Sequence, residues 1–200
     1  MFQPASTLSG KIRSIRSVML SQDVESLCRF YEKFGLKFIP IMVGRRIHYI
    51  CSNATLSILE GESNQCLGGL GIYEVSDNEE GLESINYSTD KKIFYGRFLI
   101  PRSLNEYGAS PINPTQWVSV ICSENIHETR DFYKDIGRWD LEKHGDGPEH
   151  YVLVHQGDVF ELYPLREGGD TSMEYLVYSR KVSGIHYDSD GRRILFINSK

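Results

Sequence analysis

The sequence predicts an α+β protein built from two paired βαβββ units. Three observations carry this reading. The chain repeats itself when slid by 102 residues, so that Ser17 falls on Ser119. Each copy runs strand, helix, strand, strand, strand. The composition, 40% hydrophobic and 24% charged over 200 residues, supplies enough apolar material for one domain or two small ones.

The repeat is the strongest signal. Besides Ser17, Val18 and Ser21 fall on Val120 and Ser123. Phe30-Tyr31 falls on Phe132-Tyr133, Gly35 on Gly137, and His48-Tyr49 on His150-Tyr151. That makes eight identities over positions 17 to 50, where chance gives roughly two or three at average composition.

Each copy opens with a short apolar run of strand character, 14–20 and 117–122. Asp23 and Asn125 then stand as helix N-caps, with Glu128 three residues after Asn125 in capping-box position. Val24, Leu27, Tyr31 and Phe34 are spaced 3, 4 and 3, which is one face of a helix, and Ile126, Thr129, Tyr133 and Ile136 repeat the spacing. Gly35 and Gly137 end the helices. Three strands follow in each copy, at 36–43, 45–51 and 54–60, then at 138–144, 150–155 and 158–165. The units are therefore 14–60 and 116–165, after an N-terminal arm, 1–13. Between them, 61–115 holds extra strands at 70–75 and 92–100, a short acidic helix at 76–85 and a proline-bearing linker at 103–116. The C-terminal part, 166–200, reads as a strand at 173–180 and a hairpin at 186–197 that turns at Asp188-Ser189-Asp190-Gly191.

Composition narrows the function. A net charge of −5 argues against nucleic acid as partner, because phosphate binding wants a basic surface. No apolar run is long enough for a membrane span, and the first residues lack the apolar stretch of a secretory signal. The expectation is a cytoplasmic protein whose four cysteines, with no C-x-x-C pair, are free thiols. No nucleophile elbow, P-loop, dinucleotide fingerprint or H-E-x-x-H is present. The acidic cluster Asp77, Glu79, Glu80 and Glu83 reads as a solvated helix face.

The run Ser17 to Val24, with Phe30-Tyr31 and Phe34-Gly35-Leu36, resembles the vicinal oxygen chelate superfamily. So do Val118 to Ile126, Phe132-Tyr133, Ile136-Gly137 and Phe160-Glu161-Leu162-Tyr163 in the second copy. That superfamily includes glyoxalase I, extradiol dioxygenases and bleomycin-resistance proteins. The resemblance implies a glyoxalase-like fold in which two units pair so that their concave faces enclose a pocket. It also implies a metal held between those faces, by a His or Gln on a first strand and a Glu on a last strand.

The positions matching that pattern are Arg16 and Val118 on the first strands, Ser57 and Glu161 on the last strands, and Leu195 after the D-S-D-G turn. Only Glu161 is a good divalent ligand. Arg stays protonated and Val has no donor atom, and a catalytic zinc wants three protein ligands. The expectation is therefore no metal and no cofactor. The alternative is a displaced metal site that joins His48 or His150 to Glu161. His150 and His155 are five apart on one strand, so they face opposite ways and cannot share an ion.

Strand parity counted from Glu161 lists the pocket. Val159, Glu161 and Tyr163 point inward, and Phe160 and Leu162 pack under the helix. Arg16, Val18 and Leu20 line the pocket from one first strand, and Val118, Val120 and Cys122 from the other. Ser57 takes the last-strand position of the first unit. Tyr49 or His48, and Tyr151 or His150, line it from the third strands, and parity leaves open which member of each pair does so. A buried Arg16 and Glu161 each need a partner, which is either the other or a ligand group. The functional expectation is a metal-free protein of the bleomycin-resistance type. It would bind or sequester a small amphipathic molecule in the cleft between its units, as a monomer or homodimer. The alternatives are a lyase, isomerase or dioxygenase with a displaced metal or with Glu161 as general base, and a protein–protein interaction module.

Overall fold

The structure, a computed structural model, describes residues 13–61, 68–76, 82–87, 93–101, 117–137, 140–144, 148–155, 158–165, 172–179, 183–187, 190–191 and 193–198. The first unit runs β1 (Arg13–Ser21), α1 (Val24–Glu32), β2 (Phe38–Val43), β3 (Arg46–Cys51) and β4 (Leu56–Glu60). Three strands follow: β5 (Gly68–Ser76), β6 (Leu82–Tyr87) and β7 (Ile93–Pro101). The second unit runs β8 (Trp117–Ser123), α2 (Ile126–Phe132) with a π-turn over Tyr133–Gly137, β9 (Glu142–His144), β10 (His150–His155) and β11 (Asp158–Pro164). It too is followed by three strands: β12 (Ser172–Ser179), β13 (Gly184–Tyr187) and β14 (Arg193–Asn198).

These make two sheets of seven strands, ordered β2-β3-β4-β1-β5-β7-β6 and β13-β14-β12-β8-β11-β10-β9. In each unit the first strand is parallel to the fourth, β1 to β4 and β8 to β11. This is the paired βαβββ architecture that the repeat predicts.

The repeat extends further than its identities. β5 is antiparallel to β1 and parallel to β7, and β12 is antiparallel to β8 and parallel to β14. Each unit is thus completed by the three strands that follow it in the chain, and not by the other unit. One expectation is corrected here. The acidic stretch 76–85 is not a helix where it is described, because Ser76 ends β5 and Leu82–Tyr87 is a strand paired with β7. Backbone pairing along β7 overrides a weak local helix propensity. The linker at 103–116 lies outside the described residues, as do Asp77, Glu79 and Glu80.

The two sheets meet back to back. One apolar cluster joins Ile15, Leu70, Ile72 and Tyr95 of the first sheet to Tyr133, Phe160 and Leu162 under α2. A second joins Met19, Leu27 and Tyr31 around α1 to Ile194 and Phe196 of β14. Each helix therefore lies between its own sheet and the convex side of the other. At the pseudo-twofold axis the Ser119 hydroxyl donates to the Ser17 hydroxyl across 2.9 Å. This corrects the expectation of one cleft between the units, since each sheet curves around a concave face of its own.

This arrangement explains most of the repeated residues. Ser17 and Ser119 meet on the axis. Ser21 and Ser123 each accept a hydrogen bond from the backbone N–H of the capping residue, Asp23 and Asn125. Those caps in turn accept from Ser26 N and Glu128 N. Tyr31 and Tyr133 are fully buried under the helices. Gly35 closes the turn that follows α1, donating to Glu32 O with φ +88°, a conformation that favours glycine.

Candidate functional site

The concave face of the first sheet is filled from within. Val18, Leu20, Ile50, Leu59, Tyr73 and Phe98 form one buried cluster on it. The Phe98 ring lies on Gly71, where a Cβ would stand 2.7 Å from Phe98 Cε2 and 2.9 Å from Val18 Cγ2. Tyr73 and Phe98 are tilted against each other with ring centroids 4.7 Å apart. Strand β2 reaches β7 across the sheet, so this sheet curls towards a closed barrel.

The sequence-predicted residues Arg16, His48 and Ser57 lie in this filled core and are buried. Arg16 Nη1 donates to the carbonyls of Cys51 (2.9 Å) and Ala54 (3.1 Å), and its guanidinium stands 6.0 Å from the Tyr73 ring centre. It therefore draws its hydrogen bonds from the β3–β4 connection. The pairing with Glu161 is not made, because Glu161 stands on the other sheet. His48 is the inward member of its pair. Tyr49 turns to the helix side and packs with the α1 cluster.

A polar chain runs through this core. His48 Nδ1 is 3.0 Å from the Tyr73 hydroxyl. His48 Nε2 is 3.5 Å from Glu83 Oε2, and the geometry leaves both atoms buried without a hydrogen bond. Arg46 Nε is 3.1 Å from the other Glu83 oxygen. Burial pushes the His48 pKa down to about 3, and Arg46 adds to the shift by repelling an imidazolium. Arg46, ion-paired to the same carboxylate, offsets the pull of Glu83. Burial also raises the Tyr73 pKa. Sequence reasoning missed Tyr73, Glu83 and Phe98. The alternation of LGIYEV marks Tyr73 as one face of a strand, but nothing local says that β6 and β7 close over His48.

The second sheet differs. Val118, Val120 and Cys122 are buried on its concave face, with Val159, Tyr163 and Leu165 packed beside them and half-exposed. Register sets Glu161 level with Val120 on one side and with Val152 on the other. Glu161 is half-buried, and its Oε2 is buried and accepts no hydrogen bond from the described residues. His150 is the inward member of its pair. It is buried, its ring stacks on Tyr163 with centroids 4.3 Å apart and planes at 11°, and its Nδ1 meets Pro148 O at 2.9 Å. Tyr151 faces the helix, where its hydroxyl accepts from Arg130 at 3.0 Å and lies 3.0 Å from His127 Nδ1. Large apolar side chains stay in solvent at the flanks of this face: Val154 63% exposed, Ile185 53% and Tyr187 62%.

The positions that the resemblance assigns to a metal do not fit one. In the first sheet a guanidinium and a phenyl ring occupy the centre. In the second, valines stand level with Glu161 on both sides, and Leu195 supplies no donor. His48 is on the wrong sheet to share an ion with Glu161. Among the described residues no three His, Cys, Asp or Glu side chains cluster as ligands. The described cysteines, Cys28, Cys51 and Cys122, are buried thiols, and burial lifts the Cys28 thiol to about 12.

No protein-family model and no curated protein matches the sequence. Solved structures do. A hypothetical protein from Staphylococcus aureus superposes with TM-score 0.52 at 10% identity, over 93% of this chain and 99% of its own. Homoprotocatechuate 2,3-dioxygenase from Arthrobacter globiformis gives 0.47 at 12% identity, over 93% and 79%. A glyoxalase I variant from Zea mays gives 0.37 at 10% identity, over 92% of each chain. At 10% identity the first of these likenesses speaks for the fold alone. No helix among the described residues is long and apolar enough to cross a membrane.

Proposed function

We propose that this protein binds a small amphipathic organic molecule on the concave face of its second sheet, using side chains and no metal ion. The observation that carries the reading is the Glu161 carboxylate. One of its oxygens is buried and accepts no hydrogen bond from the described residues. A buried acceptor left in that state costs about 1–3 kcal/mol, so the site is built to receive a donor from outside. The half-exposed Tyr163 ring, stacked on His150, and the exposed valine and tyrosine at the flanks offer apolar area for the body of such a molecule. The first sheet makes a poor second site, because its own side chains fill the equivalent face.

The test combines elemental analysis of the purified protein with a thermal-shift screen of small amphipathic compounds. Expected are no stoichiometric divalent ion, and compounds that raise the melting temperature of the parent chain but not of Tyr163→Leu. A ligand at a hundred times its Kd adds about 2.7 kcal/mol to stability, which such a screen detects. A stoichiometric divalent ion whose removal abolishes an activity would overturn the reading in favour of a metal-dependent enzyme.

A further inference from the structure

The two halves of the chain supply an internal comparison. In the first sheet register sets Val18 level with Ser57, and in the second Val120 level with Glu161, so Glu161 is the counterpart of Ser57. The same register makes Val118 the counterpart of Arg16, and Ile197 the counterpart of Phe98. In the first sheet the chain covers its own concave face with an aromatic ring and a cation. Phe98 is fully buried, 4.7 Å from the His48 ring, and the Arg16 guanidinium is buried beside Tyr73. In the second sheet register sets the half-buried Ile197 in place of that ring, Leu176 in place of Gly71, and a valine in place of the cation. A carboxylate stands where the first sheet has a hydroxyl.

We infer that the molecule taken up by the second concave face is a planar aromatic cation: a flat ring system carrying a protonated nitrogen. This rests on the small-molecule reading above and specifies its ligand. The ring lies against the His150–Tyr163 stack. The nitrogen donates to Glu161 Oε2 and matches its charge. An anion would meet the carboxylate in an apolar setting where repulsion is weakly screened, and a neutral ring without a donor would leave Oε2 unsatisfied.

The experiment uses the full chain and three fluorescent probes of similar area. They are proflavine (a cation), 9-anthracenecarboxylate (an anion) and 9-methylanthracene (neutral, with no donor), titrated against the parent, Glu161→Gln, Tyr163→Leu and Val154→Lys. Val154 is exposed on the same face, so the lysine adds a positive charge without touching the core. The inference expects proflavine to bind at least tenfold tighter than the other two, and Glu161→Gln to weaken it about tenfold or more, the value of a charge-assisted hydrogen bond. Val154→Lys should weaken proflavine as well, with the melting temperature unchanged. Equal binding of all three probes, weakened by Tyr163→Leu but not by Glu161→Gln, overturns the cation and keeps the small-molecule reading. So does a preference for the anion. No binding by any probe, or binding indifferent to all three substitutions, overturns both.

Discussion

Acidification should expose His48. Its ring has no solvent contact, faces Glu83, Arg46 and Tyr73, and has its pKa pushed from the ordinary 6.5 to about 3. In the unfolded chain it titrates near the ordinary value. As pH falls below 6.5 the unfolded state takes up a proton that the folded state refuses, so stability is present above that pH and is lost on the way down. One such proton changes stability by about 1.4 kcal/mol per pH unit. Between pH 7 and pH 5 the loss from this residue is about 2 kcal/mol, before most carboxylates titrate. Urea denaturation at half-unit steps over that range, on the parent and on His48→Gln, isolates the term, because every other group is common to both. The parent should lose about 2 kcal/mol more than the variant. The opposite sign, a parent that gains stability towards pH 5 relative to His48→Gln, would mean that His48 and Glu83 form a true ion pair in the core. That result would refute the argument that burial and Arg46 outweigh Glu83.

Three further outcomes are expected. Phe98→Ala removes a fully buried ring and should cost about 3–5 kcal/mol, whereas Gly71→Ala, which drives a Cβ to 2.7 Å from that ring, should cost about 1–3 kcal/mol; chemical denaturation of each measures both, and a near-zero loss for Phe98→Ala would show that the first face is not packed. Ser17→Ala and Ser119→Ala should be coupled in a double-mutant cycle by about 0.5–1.5 kcal/mol through the hydroxyl pair on the axis, and strict additivity would place the two strands apart in solution. Glu161→Gln should leave the melting temperature within a degree or two of the parent, since its buried oxygen accepts no hydrogen bond from the described residues; a marked drop would reveal a structural partner.

Much of this architecture could be read locally. Helix caps, the 3.6-residue face of α1 and the two-residue alternation of β4 and β11 are properties of neighbouring residues, so they show in the sequence. A repeat doubles each of them. Parity from Glu161 therefore set Val159 and Tyr163 on its face and Phe160 and Leu162 under the helix, which is how the chain folds. The same parity could not choose between His48 and Tyr49, or between His150 and Tyr151. Both members of each pair are amphipathic, and a one-residue slip in where a strand begins exchanges them.

Tertiary structure decided the rest. The strand that brings Glu83 to His48 lies 35 residues along the chain and reads locally as a helix. Only pairing with β7 makes it a strand, because hydrogen bonds along an edge cost less to form there than to leave unmade. Likewise, nothing local says that Phe98 folds over Gly71, or that Arg16 is satisfied by the carbonyls of the β3–β4 connection. Those contacts fill one concave face, while residues at the equivalent places leave Glu161 with an acceptor to offer. The sequence by itself determined two copies of the unit; the structure gives each copy a concave face of its own. Which of them is packed, and which carries the candidate site, depends on side chains that meet only when strands distant in the chain are brought to the same sheet.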